Sequence, residues 1–123
     1  WLDHVEKVRL PYNVGVLTQL VTEQVLQHQA LLEAQAAAIR SERTRVFDEL
    51  QHLNQTTAFA SEANFILLRI ADAQRVFDGL KARRVLVKNL HGSHPALENC
   101  LRVTIGTPDE NEQFLSALRA CVT

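Results

Sequence analysis

The chain has 123 residues, 46% apolar and 22% charged, the make-up of one ordinary globular domain, which excludes a disordered or fibrous polymer. Its 13 basic residues are offset by 14 acidic ones spread along the chain, for a net charge of −1. That balance supplies no basic face for nucleic acid or an anionic membrane, and no apolar run reaches the roughly 18 residues of a membrane span.

Two cysteines, Cys100 and Cys121, are too few for a disulfide framework. They fit a reducing, cytoplasmic setting in which a buried thiol acts as a small apolar group. The chain opens on Trp1 and holds no methionine, so it is expected to be processed or to begin inside a longer polypeptide. The lack of a leader peptide therefore carries little weight.

Residues 1–9 are mixed in character and read as the tail of a preceding element. Leu10-Pro11-Tyr12-Asn13 reads as a loop, because Pro11 disfavours helix at Leu10 and Asn13 suits an N-cap. Val14, Leu17, Val21 and Val25 then recur at helical spacing up to about His28. A second helix is expected from about Ala30 to Leu53. Its stripe is Leu32, Ala36, Ile39, Val46, Leu50 and Leu53, interrupted by Arg43, which could reach another element. Arg40, Arg43 and Arg45 among Glu42, Asp48 and Glu49 suggest a solvated or ion-paired helix face.

The texture then changes. Residues 56–59 and 64–70 read as strands, the second so apolar that it is expected to be covered on both faces. Asp72 can cap a helix from Ala73 to about Arg83 that turns Val76, Phe77 and Leu80 inward. Val85–Lys88 reads as a strand, 89–99 as a loop holding Gly92 and Pro95, and Leu101–Ile105 as a further strand. Thr107-Pro108-Asp109-Glu110 combines an N-cap threonine, a proline at the first helical position and a capping-box glutamate, so a last helix starts there. The expected fold is α+β: a small sheet with helices packed mainly on one face, in the order α-α-β-β-α-β-β-α.

Alternation along Leu101–Ile105 places Arg102 and Thr104 opposite Leu101, Val103 and Ile105. A planar guanidinium there suits a carboxylate or phosphate, or else an ordinary pairing with a nearby acidic side chain. Lys88 closes its strand on the same face as Leu86, and as a second cation near Arg102 it would suit a doubly charged phosphate; a solvated strand-end lysine is the plainer alternative. Asn64, at the entry to its strand, is expected to be a buried amide bonded to backbone. His91, His94 and Cys100 match no common zinc spacing, and no metal site is expected. His4, His28 and His52 are expected on the surface.

Three segments in fixed order carry a family resemblance. They are Val8-Arg9-Leu10-Pro11-Tyr12-Asn13-Val14 with Leu17-Thr18-Gln19, then Ser61-Glu62-Ala63-Asn64-Phe65-Ile66-Leu67, and then Val85–Leu90, Ser93-His94-Pro95 and Asn99–Thr107. Together they resemble the last third of the histidinol-phosphate aminotransferases, fold-type-I enzymes that use pyridoxal phosphate. The resemblance implies residues 1–13 as a junction and loop from a large domain, and 14–123 as the C-terminal small domain. It implies a homodimeric parent that exchanges the amino group between histidinol phosphate and 2-oxoglutarate, with the cofactor on a lysine of the large domain. By the same resemblance Arg102 holds the anionic end of the substrate, Lys88 assists, and Tyr12 and Asn13 lie near the active-site mouth.

The family's serine-lysine segment and its aspartate facing the pyridine nitrogen should lie upstream of Pro11. Lys7, Lys81 and Lys88 are the only lysines here, and none sits in that context. The chain alone is therefore expected to hold no catalytic residue, to bind no pyridoxal phosphate and to be inactive. It is also expected to self-associate through the helix Val14–Leu26 and the loop 10–13, where Val16 and Leu20 lie off the main stripe. Three other readings stay open: a small domain from an aminotransferase or decarboxylase with another substrate, a free-standing small-molecule-binding regulatory module, and a structural interaction domain. A serine-lysine motif encoded before Trp1 would settle for the aminotransferase, and a gene encoding nothing upstream would favour the interaction domain.

Overall fold

The structure, a computed structural model, describes residues 1–8 and 14–122. They divide between two compact units, Trp1–Gln35 and Ala36–Thr123. The expectations for Tyr12 and Asn13 fall outside the described residues.

In the first unit, Leu2–Glu6 forms a short helix, α1, where the sequence showed no clear pattern. Helix α2 spans Val16–Leu26, and α3, Gln29–Gln51, begins in this unit and continues into the second. The cap position of α2 is Gly15, in extended conformation: the Gly15 carbonyl accepts the Gln19 N–H at 3.1 Å, which opens the helical ladder there. Among the described residues of Trp1–Gln35, no side chain is buried.

The second unit carries the sheet. Strands β1 (Thr56–Phe59), β2 (Phe65–Ile70), β3 (Lys88–Asn89) and β4 (Cys100–Thr104) lie in the order β1-β2-β4-β3, each antiparallel to its neighbour. Helix α4 (Ala73–Ala82) connects β2 to β3, and α5 (Pro108–Val122) closes the chain. One sheet face presents Ala58, Ile66, Leu68, Ile70, Leu101 and Val103 to the core. Val46 and Leu50 of α3, Val76 and Leu80 of α4, and Leu115 and Leu118 of α5 pack there too. The helices of this unit thus cover one face, as expected.

That arrangement corrects the reading of β2 as covered on both sides. Its burial alternates, with Ile66, Leu68 and Ile70 inside and Arg69 exposed. Phe65 and Leu67 stay half-buried because no helix of this unit lies over them. The α3 stripe is corrected too: only Val46 and Leu50 of this helix are buried, whereas Leu32 and Ile39 are exposed.

Local chemistry sets the helix ends. The Asp72 carboxylate accepts the Arg75 N–H at 3.1 Å and caps α4. At α5 the Thr107 N–H donates to Glu110 at 2.8 Å, and the Glu110 N–H donates back to the Thr107 hydroxyl at 3.4 Å, the expected capping box. Helix α4 ends with Val85 N–H on the Leu80 carbonyl and Arg84 N–H on the Lys81 carbonyl, both at 3.0 Å. This is a Schellman closure, and its left-handed position holds Arg84, at φ 62°, instead of glycine.

That closure explains the shortened third strand. Residues 85–88 were expected to be strand, yet the ladder pairs only Lys88 with Arg102 and Asn89 with Leu101. The Val85 N–H is committed to helix α4, and 85–87 splay from β4 to open a groove of about 340 Å³ bordered by Val85, Val87, Val103 and Phe114. Within the loop that follows, Pro95–Leu97 forms a single 3-10 turn.

Candidate functional site: the open face of the sheet

Alternation brings Arg102 and Thr104 of β4, Phe65, Leu67 and Arg69 of β2, and Lys88 of β3 to the face that the helices leave open. Lys88 is the direct register partner of Arg102 on one side, and Leu67 is its partner on the other. Both cations are exposed. The Arg102 guanidinium sits over the Phe65 ring, 5.1 Å from its centroid. Among the described residues, neither Arg102 nor Lys88 has a side-chain hydrogen bond or an ion pair.

Several other arginines are spent on structure. Arg43, whose side chain is only 13% exposed, donates to the Ala63 carbonyl and to Glu62, both at 3.0 Å, so it does reach out of the helix stripe to another element. Arg45 grips Glu42 at 2.9 Å, and Arg119 meets Glu49 at 2.6 Å. Arg69 lies over Phe59 at 5.4 Å and also donates to the Ala96 carbonyl at 2.8 Å, which ties the loop to the sheet. The site is therefore defined by adjacency: Arg102 and Lys88 are register partners on the open sheet face, and no described residue takes up their side-chain donors.

Several sequence readings resolve here. Asn64 is exposed rather than buried; its backbone carbonyl accepts the Ile105 N–H at 2.9 Å, which is the ladder bond that the strand entry needed. His91 and His94 each accept a backbone N–H through Nδ1, from Asn99 at 3.0 Å and Ala96 at 3.1 Å, so both rings shape the loop. Cys100 and Cys121 are buried thiols, and His4, His28 and His52 are exposed.

Sequence reasoning missed Asn111. It is buried, its side-chain oxygen accepts the Gly106 N–H at 2.9 Å, and its amide donates to the Gly106 carbonyl at 3.0 Å and to Glu42 at 2.8 Å. The signal available was an asparagine on the apolar side of α5, one turn before Leu115 and two before Leu118. Arg45 first, then Asn111, hold the Glu42 carboxyl below the usual carboxylate range. Thr107 does the same for Glu110 through its backbone N–H and its hydroxyl.

The described residues do not by themselves fit pyridoxal phosphate, which needs an enclosed lysine. Lys7, Lys81 and Lys88 are all exposed, and no lysine lines the groove at β3, the groove beside Arg69 and Asn99, or the cleft beside Arg43 and Phe47. No helix among the described residues is long and apolar enough to cross a membrane.

Comparison with known proteins bears on this geometry. A histidinol-phosphate aminotransferase of Ralstonia nicotianae is 52% identical over 120 residues, covering 98% of this chain and 32% of that protein. One from Cupriavidus pinatubonensis is 51% identical over 120 residues, covering 98% of this chain and 33% of that one. The chain thus spans about a third of the length of the curated relatives it matches. The crystal structure of the histidinol-phosphate aminotransferase from Clostridium acetobutylicum superposes with a TM-score of 0.79 at 22% identity, over 91% of this chain and 34% of that one, which shows the shared fold. The family model for aminotransferase class I and II matches residues 1–118, and the chain belongs to that family.

Proposed function

We propose that this chain supplies the substrate-anion-binding face of a histidinol-phosphate aminotransferase, as its C-terminal small domain over residues 14–123, with 1–13 as the junction to a large domain. The observation that carries the reading is the pair of uncommitted cations, Arg102 and Lys88, facing one another across β3 and β4. The relatives' shared activity supports the choice of substrate. Arg102 offers paired N–H donors to the phosphate of histidinol phosphate, or to the carboxylate of glutamate in the reverse half-reaction. Lys88 adds charge next to a group that carries nearly two negative charges at neutral pH. Tyr12 and Asn13 stand near the mouth of the site in this reading. Pyridoxal phosphate supplies the electron sink for transamination when bound, on a lysine of the large domain, in a cytoplasmic homodimer.

Kinetics of the complete enzyme test this. Arg102→Ala should lower kcat/KM for histidinol phosphate by the equivalent of about 2–4 kcal/mol, the scale for losing a charged hydrogen-bond partner. Lys88→Ala should cost less, and Lys88→Arg should be tolerated. Unchanged kinetics in Arg102→Ala would sink the assignment. This chain mixed with an equimolar amount of pyridoxal phosphate should develop no absorbance band of a lysine-bound cofactor; such a band, removed by borohydride with the label fixed on this chain, would overturn that expectation.

Exposed apolar side chains bear on the partner. Val16, Leu17, Leu20, Val21 and Leu26 of α2 are all more than half exposed, a surface that associates readily in water. In the enzyme they would meet the rest of the protein, and in this chain alone a second copy. Sedimentation at micromolar concentration should show self-association, and a clean monomer would refute it.

A further inference from the structure

We infer that Phe65 is the positioning residue for the anion-binding arginine: its ring face holds the Arg102 guanidinium over the open sheet while leaving the N–H donors for substrate. The inference rests on the reading of Arg102 as the anion-binding group. Phe65 pairs in register with Thr104, two residues along β4 from Arg102 and on the same face, so the two side chains are diagonal neighbours. That separation lies within reach of an aromatic and a long side chain.

Arg102 poses a particular positioning problem. A long, flexible side chain on an exposed strand loses conformational freedom when it binds a ligand, unless something has already fixed it. The usual solution is a carboxylate, which also neutralises the charge and occupies the donors. Arg45 and Arg43 show that outcome, held by Glu42 and Glu62. An aromatic face attracts the guanidinium through its quadrupole and takes up no lone-pair acceptor. Arg102, 5.1 Å from the Phe65 centroid and without a hydrogen bond among the described residues, is fixed in that second way. Arg69 provides the internal contrast. It has a ring contact with Phe59, but it also donates to the Ala96 carbonyl, so its role is to tie down a loop.

Two measurements decide the matter. In this chain, the Arg102 Nε–H resonance should carry an upfield ring-current shift that moves on titration with inorganic phosphate. Phe65→Leu should abolish the ring shift and weaken phosphate binding by about 3- to 10-fold, a range set by a partly exposed cation–π contact. Phe65→Tyr should retain both, and Phe59→Leu should leave Arg102 unchanged. In the complete enzyme, Phe65→Leu should raise KM for histidinol phosphate by a similar factor with kcat nearly constant, because ground state and transition state use the same anion contact. A merely structural role would lower the Tm of Phe65→Leu yet leave the resonance and the phosphate affinity at parental values, and that result overturns the inference. Parental KM in Phe65→Leu alongside a severe loss in Arg102→Ala would also overturn it, with the proposed function still standing. Parental kinetics in Arg102→Ala would instead remove the reading on which both depend.

Discussion

Helices α2 and α4 show how little apolar content alone decides. Helix α2 carries Val16, Leu17, Leu20, Val21, Val25 and Leu26, none of them buried. Helix α4 carries fewer apolar residues and buries Ala73, Val76 and Leu80. Those three, with Phe77, recur at i, i+3, i+4 and i+7, which gathers them on one side of the helix. The apolar residues of α2 spread around more of its circumference, and none of them packs into a core among the described residues. The region Ala36–Thr123 owns a core, and Trp1–Gln35 presents apolar surface. A core requires a concentrated stripe together with a second layer to receive it.

Substitutions in the two regions should therefore diverge, and urea denaturation measures the divergence. Leu68→Ala, at a fully buried site in β2, should cost about 2–5 kcal/mol through lost burial and the cavity left behind. Leu17→Ala, at a site 78% exposed, should stay within about 0.5 kcal/mol. Comparable losses at the two sites would break the contrast. Asn111→Ala should cost about 1–3 kcal/mol, because the Gly106 N–H would lose its partner and Glu42 would lose a donor.

The acid limb of stability sharpens the same comparison. The folded pKa of Glu42 is lowered by Arg45 and Asn111, so its contribution is complete above the ordinary carboxylate range and fades as pH falls through the lowered folded value. Glu42→Gln should be less stable at neutral pH and should lose less on acidification, as followed by Tm from pH 7 to pH 3. An acid slope equal to the parent's would show that Glu42 is not linked to folding. The smallest effect concerns Arg84, at φ 62° in the closure of α4. Arg84→Gly should be neutral or stabilising by about 0.5–1 kcal/mol, since glycine enters that conformation without the Cβ penalty. A loss of stability there would mean that the arginine side chain contributes more than its backbone strain costs.

The conserved physics of short-range bonding made much of this protein legible in advance. Thr107, Pro108 and Glu110 specify the start of α5, Asp72 specifies that of α4, and both caps are made by side chains within three residues of the groups they satisfy. Alternation along β4 likewise placed Arg102 and Thr104 outward, because the strand pleat fixes side-chain direction wherever one face is buried. Tertiary structure decided the rest. Val85 could have continued a strand, but its N–H was claimed by the Leu80 carbonyl, and β3 shrank to Lys88 and Asn89. Ile39 and Val46 belong to one stripe on α3, yet only Val46 meets the sheet. Phe65 and Arg102 lie 37 positions apart in the chain, and their contact exists only because β2 and β4 pair in one register. Caps and pleats depend on neighbours in sequence, whereas burial, strand pairing and ring contacts depend on what the folded chain brings alongside.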